Sequence, residues 1–260
     1  MKNFYIYGLF KKNKLDTHCQ VLPEINNKKI VVVSPHADDI AIGCGGAMAL
    51  LSATNTITPL LFFTGERGID APDKQQRIKI RETEMCAEAR ELGLCPPIFL
   101  RLSSYDHEHQ ENLSHDKAQL EKVLRELTPD IIFLPHENDC QPRHQLASDI
   151  TMAVLKVINF TGALFFYETP WEPFASLDFN LCVVLEAAVM AQKIRAIRVH
   201  ASQLKRTRFD RAAQGLAQFR AAVVPEQRMQ GYGSCACVHF KYVEVFLYRP
   251  SIEFRGRNHS

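Results

Sequence analysis

A short β-branched run, residues 30–33, is followed at once by the hexapeptide SPHADD at residues 34–39. The run predicts a buried strand, and the loop that leaves the carboxyl end of a strand is where open α/β sheets bind their ligands. His36 and Asp39 offer an imidazole nitrogen and a carboxylate oxygen, which are both suited to zinc. Asp38, between them, is left to transfer protons. The motif therefore predicts an α/β fold with a metal site at one edge of its sheet.

Strand and helix signals alternate over the first 160 residues, which predicts a mostly parallel, doubly wound sheet with helices on both faces. The predicted strands are residues 28–33, 57–63, 97–102, 130–135, 163–167 and 181–185. The predicted helices are residues 40–52, 75–92, 117–127, 145–158 and 187–209. Residues 238–248 alternate like an added antiparallel C-terminal strand. Residues 1–28 are predicted to be an irregular arm, and the lack of a linker predicts a single domain over residues 1–260.

The composition is that of an ordinary soluble protein, with 46% hydrophobic residues, 23% charged residues and a formal net charge of +2. Such a balance gives no strong attraction to nucleic acid, and no uncharged apolar stretch is long enough to span a membrane. The N-terminal residues lack the order of a signal peptide, so the eight cysteines are interpreted as free thiols. We expect a cytoplasmic protein without a nucleic-acid partner or transmembrane segment, and the sequence leaves a homo-oligomer open.

A second polar loop, residues 136–144, follows the apolar run DIIFLP. If the two apolar runs form neighbouring strands, His144 can approach His36 and Asp39. Two histidines and one carboxylate leave a fourth zinc position open to water, which is the pattern of a catalytic zinc site. Zinc lowers the pKa of such a water to about 7, and an adjacent carboxylate such as Asp38 can take its proton and pass it to a leaving amine.

Several sequence blocks resemble the LmbE/PIG-L family of zinc-dependent N-deacetylases, which remove acetyl groups from N-acetylglucosamine conjugates and related amides. The first block is Pro35-His36-x-Asp38-Asp39 followed by Gly43-x-Gly45-Gly46. The later blocks are Thr64-Gly65-Glu66-x-Gly68, Arg81-Glu82-x-Glu84 with Leu92-Gly93, Pro135 with Asp139 and His144, Lys193-x-x-Ala196-x-x-x-His200-x-Ser202-Gln203, and Tyr242-x-Glu244-x-Phe246. The resemblance extends over roughly residues 30–248, and the blocks occur in the family's order.

The resemblance implies a fold, a cofactor and a set of roles. It implies a Rossmann-like sheet, with one Zn²⁺ ion at the carboxyl ends of two central strands. His36, Asp39 and His144 are the implied zinc ligands, and Asp38 is the implied general base and acid. The implied substrate is a small molecule, an N-acetylated sugar or its conjugate.

One departure from the family concerns the oxyanion. The family usually has His-Pro-Asp-His, whose first histidine helps to stabilise the oxyanion, where this chain has Gln141-Pro142-Arg143-His144. Gln141 can donate a hydrogen bond but cannot act as a cationic acid. Because an oxyanion donor typically lowers the barrier by about 2.7–4 kcal/mol, a weaker donor predicts a slower reaction rather than none. We hypothesise that Arg143 or His200 compensates for the weaker donor at position 141. The residues assigned as catalytic are Asp38, Gln141 and His200.

Four residues are assigned to substrate binding. Arg67 is either a surface charge or a clamp for a carboxylate or phosphate. Arg81, in the family-like helix block, is grouped with it. Asp106 is expected to take the place of the family aspartate that contacts sugar hydroxyls. The alternative is that no residue of this chain takes that place. Glu168 lines the substrate mouth beside Trp171, or both residues belong to a turn.

Two simpler interpretations apply to the first motif. Its aspartates could cap the following helix, but capping explains one carboxylate and does not explain His36. Its glycines, Gly43-x-Gly45-Gly46, could suggest dinucleotide binding, but the third glycine of that fingerprint would fall at Met48. We therefore favour the metal site, and we interpret the glycines as a close contact between helix and sheet.

The leading expectation is a zinc-dependent hydrolase that removes an N-acetyl group from an N-acetylglucosamine-type sugar or glycoconjugate. One alternative is an amidase with the same metal and a pocket for a larger acyl amide. A second alternative, suggested by the glutamine at position 141, is a non-catalytic sugar-binding relic of the family.

Overall fold

Nine strands form one sheet in the computed structural model of the protein, which describes residues 6–13, 16–21, 25–104, 112–175, 178–228 and 241–250. The strands are β1 Ile6–Asn13, β2 Asp16–Val21, β3 Lys29–Ser34, β4 Thr56–Leu61, β5 Ile98–Phe99, β6 Ile131–Pro135, β7 Ala163–Tyr167, β8 Leu181–Leu185 and β9 Tyr242–Arg249. The helices are α1 Asp39–Leu51, α2 Lys74–Leu92, α3 Leu113–Leu127, α4 Pro142–Val157, α5 Ala187–Arg198, α6 Ala201–Leu204 and α7 Phe209–Arg228, with a 3₁₀ turn at Glu66–Gly68.

The strand order across the sheet is β2-β1-β8-β9-β7-β6-β3-β4-β5. The five strands from β7 to β5 pair in parallel, whereas β9 pairs antiparallel with both β7 and β8. Helices α1, α2 and α5 bury one face of the sheet, and α3 and α4 bury the other. The predicted Rossmann-like, doubly wound α/β fold with an added antiparallel strand is therefore confirmed. Among the described residues, no helix combines the length and the apolar character needed to cross a membrane.

Residues 30–33 of strand β3 are all apolar because the strand is buried on both faces there. Ile30 and Val32 pack in the core cluster on one side of the sheet, and Val31 and Val33 pack in the cluster on the other. Strands buried in this way are continuously apolar rather than alternating. This is why the run of residues 30–33 predicted a central strand correctly.

The glycines of α1 let the helix approach the sheet, as the sequence predicted. A Cβ atom on Gly43 would lie 2.4 Å from Cδ2 of Tyr167, and one on Gly46 would lie 2.4 Å from Cδ1 of Leu185. Such distances are too short for any side chain, so glycine is required at both positions. The helix is also kinked at Cys44, where the backbone leaves the helical region.

The prediction of an irregular arm over residues 1–28 is wrong. Strands β1 and β2 form an antiparallel pair, and β1 extends the sheet by pairing with β8. These segments carry Lys, Asn and Asp, so their local pattern is a weak strand signal. Their pairing with a strand far along the chain is what makes them part of the sheet.

The prediction of one helix over residues 187–209 is also wrong. Helix α5 ends at Arg198, α6 starts after His200, and α7 begins at Phe209. The break lies at His200, whose backbone is not helical and whose side chain pairs with Glu88 in the interior. Helix α7 was missed because its buried positions include the small residues Ala213, Ala217 and Ala221, which give only a weak apolar period.

Candidate active site

The two polar loops meet because their strands are neighbours. Strands β3 and β6 pair in parallel, with Ile30 opposite Ile131 and Val32 opposite Phe133, so their carboxyl ends lie side by side. The loop after β3 carries His36 and leads into α1, and the loop after β6 leads into α4. Helix α4 begins at Pro142 rather than at the predicted residue 145, so His144 lies in the first helical turn.

Three donor atoms converge at this point. Nδ1 of His36 lies 3.1 Å from Oδ2 of Asp39, Nε2 of His144 lies 3.1 Å from the same oxygen, and the two nitrogens are 3.3 Å apart. A zinc ion bound tetrahedrally keeps its ligands about 3.3–3.5 Å from one another. Within the described part of the chain, this is the one group of three such side chains with metal-ligand spacing. The donor set therefore fits a zinc ion, with its remaining side open to a cleft.

Asp139 fixes the orientation of His144 from behind. Its Oδ2 lies 2.9 Å from Nδ1 of His144 and accepts a hydrogen bond of 3.3 Å from the Thr169 hydroxyl. Its Oδ1 accepts a bond of 2.9 Å from the backbone N–H of Gln141. A carboxylate that holds the second nitrogen of a histidine is a common support for metal ligands. No role was predicted for Asp139 beyond its place in a block, because nothing local shows which way the carboxylate points.

Asp38 is a side chain of the cleft rather than a helix cap. It occupies the N-cap position of α1, but its carboxylate makes no capping hydrogen bond. Oδ1 of Asp38 instead accepts a hydrogen bond of 2.6 Å from Nη2 of Arg81, and both residues are buried. Burial alone would raise the pKa of Asp38, but the charges of Arg81 and His200 lower it below its usual value. The capping interpretation is therefore not supported, and Asp38 is a carboxylate at neutral pH.

Burial and neighbouring charges also act in opposite directions on the pKa values of Asp39 and His144. Burial would raise the pKa of Asp39, but the two histidines beside it lower that pKa strongly. Burial would lower the pKa of His144, but Asp39 and Asp139 raise it to about 10. Because a histidine must be neutral to bind a metal, zinc binding would release a proton from His144.

The open side of the site is a cleft of about 470 Å³. Trp171 forms part of its wall, with its ring centroid 5.8 Å from that of His144 and 5.6 Å from that of Phe209. Arginine side chains lie in the same lining. The lining residues are His36, Asp38, Asp39, Gly65, Arg81, Gln141, Arg143, His144, Trp171, Gln203, Arg206, Thr207 and Phe209. The residues from 203 onward were not predicted to line the site, because they follow the unpredicted helix break.

Arg81 forms part of the floor of the cleft. Its Nε and Nη1 are buried and have no hydrogen-bond partner among the described residues. Gly65 adopts a left-handed φ of 65°, and a Cβ atom there would lie 3.4 Å from Nε of Arg81. A glycine at position 65 therefore lets the loop after β4 close against the guanidinium.

Two of the residues predicted for the site, His200 and Glu168, are buried outside the cleft, which corrects their placement. His200 is 1% exposed, and its Nε2 lies 2.7 Å from Oε2 of Glu88. Glu168 is buried, accepts hydrogen bonds of 2.9 and 2.5 Å from Arg220, and also binds the backbone N–H of Phe174. Both side chains are engaged by neighbours from other helices, which local sequence does not reveal.

Of the other residues predicted to be catalytic or to bind substrate, three line the cleft, one does not, and one is not described. Asp38, Arg81 and Gln141 line the cleft as expected. Arg67 is exposed and does not belong to the lining. Asp106 lies outside the described residues.

Comparisons with known proteins give a family and a set of similar folds. The family model described as "PIG-L: GlcNAc-PI de-N-acetylase" matches residues 31–155. No curated protein matches the chain. Among solved structures, the N,N'-diacetylchitobiose deacetylase from Pyrococcus horikoshii has a TM-score of 0.66 and 20% identity, with 86% of this chain and 84% of that chain covered.

Two further structures have the same fold. The 4-carboxy-2-hydroxymuconate hydratase GalB from Pseudomonas putida has a TM-score of 0.67 and 18% identity, over 88% of this chain and 98% of its own. The zinc-inhibited form of teicoplanin deacetylase Orf2 has a TM-score of 0.63 and 14% identity, over 85% and 98%. Identities this low establish the fold rather than the reaction. Together with the family match, they lead to one conclusion: residues 31–155 of this chain form a PIG-L (LmbE-like) family domain.

Proposed function

We propose that the protein is a zinc-dependent hydrolase that removes an N-acetyl group from an N-acetylglucosamine-type sugar or glycoconjugate. The observation that carries the proposal is the cluster of His36, Asp39 and His144, whose donor atoms lie 3.1–3.3 Å apart beside the carboxylate of Asp38. The family domain supports it, and so do the two deacetylases among the similar structures.

His36, Asp39 and His144 would hold the ion, which supplies a Lewis acid and a water of lowered pKa when bound. Asp38 takes a proton from the water that attacks the amide carbon. The same carboxyl then gives the proton to the nitrogen as the carbon–nitrogen bond breaks, which yields acetate and a free amine. Arg81 keeps Asp38 ionised and oriented through the 2.6 Å hydrogen bond.

Gln141 is the proposed oxyanion donor. It lies at the N-cap of α4 and lines the cleft. Its neutral amide can donate a hydrogen bond to the oxygen that gains charge during attack. Arg143, in the same lining, is the stronger candidate to supplement it, because His200 is buried and is not among the lining residues.

Metal analysis and acetate release from a panel of N-acetylated sugars test the proposal. We expect one zinc ion per chain and stoichiometric acetate and amine. The Asp38→Ala variant should keep its zinc and lose nearly all turnover. Wild-type turnover in that variant would show that the proton-transfer role is assigned to the wrong residue.

Two alternatives are separated by the same measurements. An amidase for a larger acyl group would release longer carboxylic acids but little acetate. A non-catalytic relic, which the glutamine at position 141 favours, would bind zinc and sugar without hydrolysis. Since the fold is shared with a hydratase, release of acetate rather than the presence of zinc decides the reaction.

A further inference from the structure

One wall of the cleft is apolar. Among the described lining residues, Trp171 and Phe209 are the only ones with apolar side chains, and the others are polar, charged or glycine. Their rings meet edge to face, with centroids 5.6 Å apart. We infer that Trp171 sets the size of the acyl group that the protein removes and restricts it to acetyl. The inference deepens the proposed function and rests on it for the hydrolysis, but not for the contact between Trp171 and the acyl chain.

Trp171 and Asp38 lie on opposite sides of the loop that carries His144. Trp171 follows β7, and Asp38 follows β3, whereas the loop after β6, the strand between them, leads to His144. The ring of Trp171 packs edge-on against that of His144, with centroids 5.8 Å apart. The carboxylate of Asp38 pairs instead with Arg81 of α2. The cleft therefore has a proton-transfer side and an apolar side.

The proposed reaction determines which half of the amide lies on each side. Asp38 takes a proton from the attacking water and gives it to the amide nitrogen, so the nitrogen and its sugar lie towards Asp38. The acyl chain is attached to the other side of the carbonyl carbon and points away from Asp38, towards Trp171. The chain is apolar, and removing it from water against an apolar wall is favourable.

The turn that carries Trp171 is fixed by several contacts. Thr169 bridges to Glu172, whose N–H donates to the Thr169 carbonyl at 3.1 Å. The Thr169 hydroxyl binds Asp139 at 3.3 Å, and Glu168, directly before the turn, is bound by an arginine of α7. Because the indole Nε1 is buried, the side-chain surface that Trp171 offers to the cleft is ring carbon. A fixed aromatic wall cannot retreat to admit further methylene groups without strain.

The substrate series that tests the inference varies only the acyl chain. N-acetylglucosamine, N-propionylglucosamine and N-butyrylglucosamine all yield glucosamine, so one assay of the free amine compares them. In the zinc-loaded wild type we expect kcat/KM to fall about 10-fold or more with each added methylene group. In Trp171→Ala the ratio of kcat/KM for butyryl to that for acetyl should rise about 10-fold or more, because the wall has been removed. Trp171→Phe keeps a smaller ring and should give an intermediate ratio.

The second aromatic residue of the wall supplies a matched pair of variants. Phe209→Ala should raise the butyryl-to-acetyl ratio several-fold. Phe219→Ala is the control, since Phe219 lies on the same helix, is 54% exposed and is not a lining residue. An unchanged ratio in Trp171→Ala overturns the inference. An equal loss of kcat/KM for all three acyl lengths also overturns it, because the ring would then contact the sugar or only support His144.

Trp171 is the only tryptophan of the chain, which provides a readout that does not depend on turnover. Acetohydroxamate, propionohydroxamate and butyrohydroxamate combine a zinc-binding group with an acyl chain and carry no sugar. Calorimetry on the zinc-loaded protein should show affinity falling along this series for the wild type, and the fall should be lost in Trp171→Ala. The fluorescence emission of the wild type should shift to shorter wavelength when acetohydroxamate displaces water from the ring, and should change little with glucosamine.

Failure of this inference and failure of the proposed function give different results. Equal hydroxamate affinities in the wild type, together with acetate release, overturn the role of Trp171 and leave the deacetylase proposal intact. Lack of amine release from all three sugars overturns the deacetylase proposal, and the hydroxamate series then still decides whether Trp171 limits the acyl chain. Absence of hydroxamate binding to the zinc-loaded protein overturns the contact between Trp171 and the acyl chain.

Discussion

Asp38 shows how one side chain acquires a role that its position alone does not give. Most aspartates at an N-cap accept a hydrogen bond from the helix backbone, but this carboxylate binds Arg81 from α2. Burial and the guanidinium act on its pKa in opposite directions, and the guanidinium prevails together with His200. The acidity of Asp38 therefore depends on a residue 43 positions away.

Removal of the guanidinium should change the pH dependence of the reaction. Arg81→Gln removes the positive charge that lowers the pKa of Asp38, whereas the effect of burial, which raises this pKa, remains. The pKa of Asp38 therefore rises, and the acidic limb of the pH profile of kcat/KM moves to higher pH. Arg81→Lys keeps a positive charge and should return the limb towards its wild-type position. The pH profile of acetate release measures both shifts. Superimposable limbs for wild type and Arg81→Gln would contradict the pairing described above.

Asp139 should matter for metal affinity although it is not itself a ligand. Asp139→Asn weakens the hold on Nδ1 of His144, and such changes commonly lower metal affinity by about 10-fold to 100-fold. Competition with a chelator of known zinc affinity measures the effect. Asp149→Asn changes an exposed aspartate on α4, the helix that carries His144, and this matched control should keep the wild-type affinity. An unchanged affinity in Asp139→Asn would mean that His144 is oriented by other contacts.

At the scale of elements, α1 is the helix that connects the first motif to the core. Its N-terminal end presents Asp38 and Asp39 to the cleft, and its glycine face lies against Tyr167 and Leu185. The kink at Cys44 lies between Gly43, which faces Tyr167, and Gly46, which faces Leu185. After the kink, the backbone N–H groups of Gly46 and Ala47 donate to a buried carboxylate from β9, as the first N–H groups of a helix commonly do.

A methyl group on the glycine face should therefore destabilise the fold. In Gly46→Ala the new Cβ would overlap Leu185 and approach Glu244, and overpacking of this kind costs about 1–3 kcal/mol. Gly215→Ala on α7 is the control, because its Cβ meets nothing within 4 Å and alanine favours a helix. Denaturant unfolding should show a loss of stability for the first variant and none for the second. Equal stabilities would show that α1 can shift away from the sheet at little cost.

At the scale of the whole molecule, a buried ion pair joins α5 to the C-terminal strand. Nζ of Lys193, on α5, lies 2.6 Å from Oε1 of Glu244 on β9, and both residues are nearly inaccessible. Glu244 also accepts the hydrogen bonds of Gly46 and Ala47 at 2.9 and 2.7 Å. The C-terminal strand thus supports the helix that begins at Asp39.

Breaking this pair on one side should be more damaging than removing both charges. Lys193→Met leaves the carboxylate of Glu244 buried without its cation, which typically costs about 3–5 kcal/mol. The double variant Lys193→Met/Glu244→Gln removes the unpaired charge and should recover part of that loss. A double-mutant cycle from denaturant unfolding gives the coupling, and strictly additive effects would argue against a direct interaction.

The central strands and most of the cluster of His36, Asp39 and His144 could be predicted because their signals are local. Strand β3 is a continuous apolar run, and the His and Asp residues that follow it are packed into six positions. The partner histidine, His144, required only the assumption that two apolar runs are adjacent. Histidines and carboxylates that directly follow an apolar strand are the part of an α/β site that is easiest to recognise in a sequence.

The remaining features depend on contacts between distant segments. The β1–β2 pair joins the sheet through β8, and β9 lies between β7 and β8 rather than at an edge. The buried partners of Glu168 and His200 are Arg220 and Glu88, each on a different helix. A local pattern gives the type of a side chain but not the neighbour that will neutralise it, so these two residues were placed in the cleft incorrectly.

The position of β9 has a consequence for biosynthesis. Among the described strands, β8 and the β1–β2 hairpin are joined to the parallel strands only through β9, which ends at Arg249. While a ribosome is still translating the preceding residues, the nascent polypeptide holds two unconnected fragments of β-structure. Each fragment exposes a bare edge during that interval, and the continuous nine-stranded sheet arises only when the last strand emerges from the exit tunnel and inserts between them.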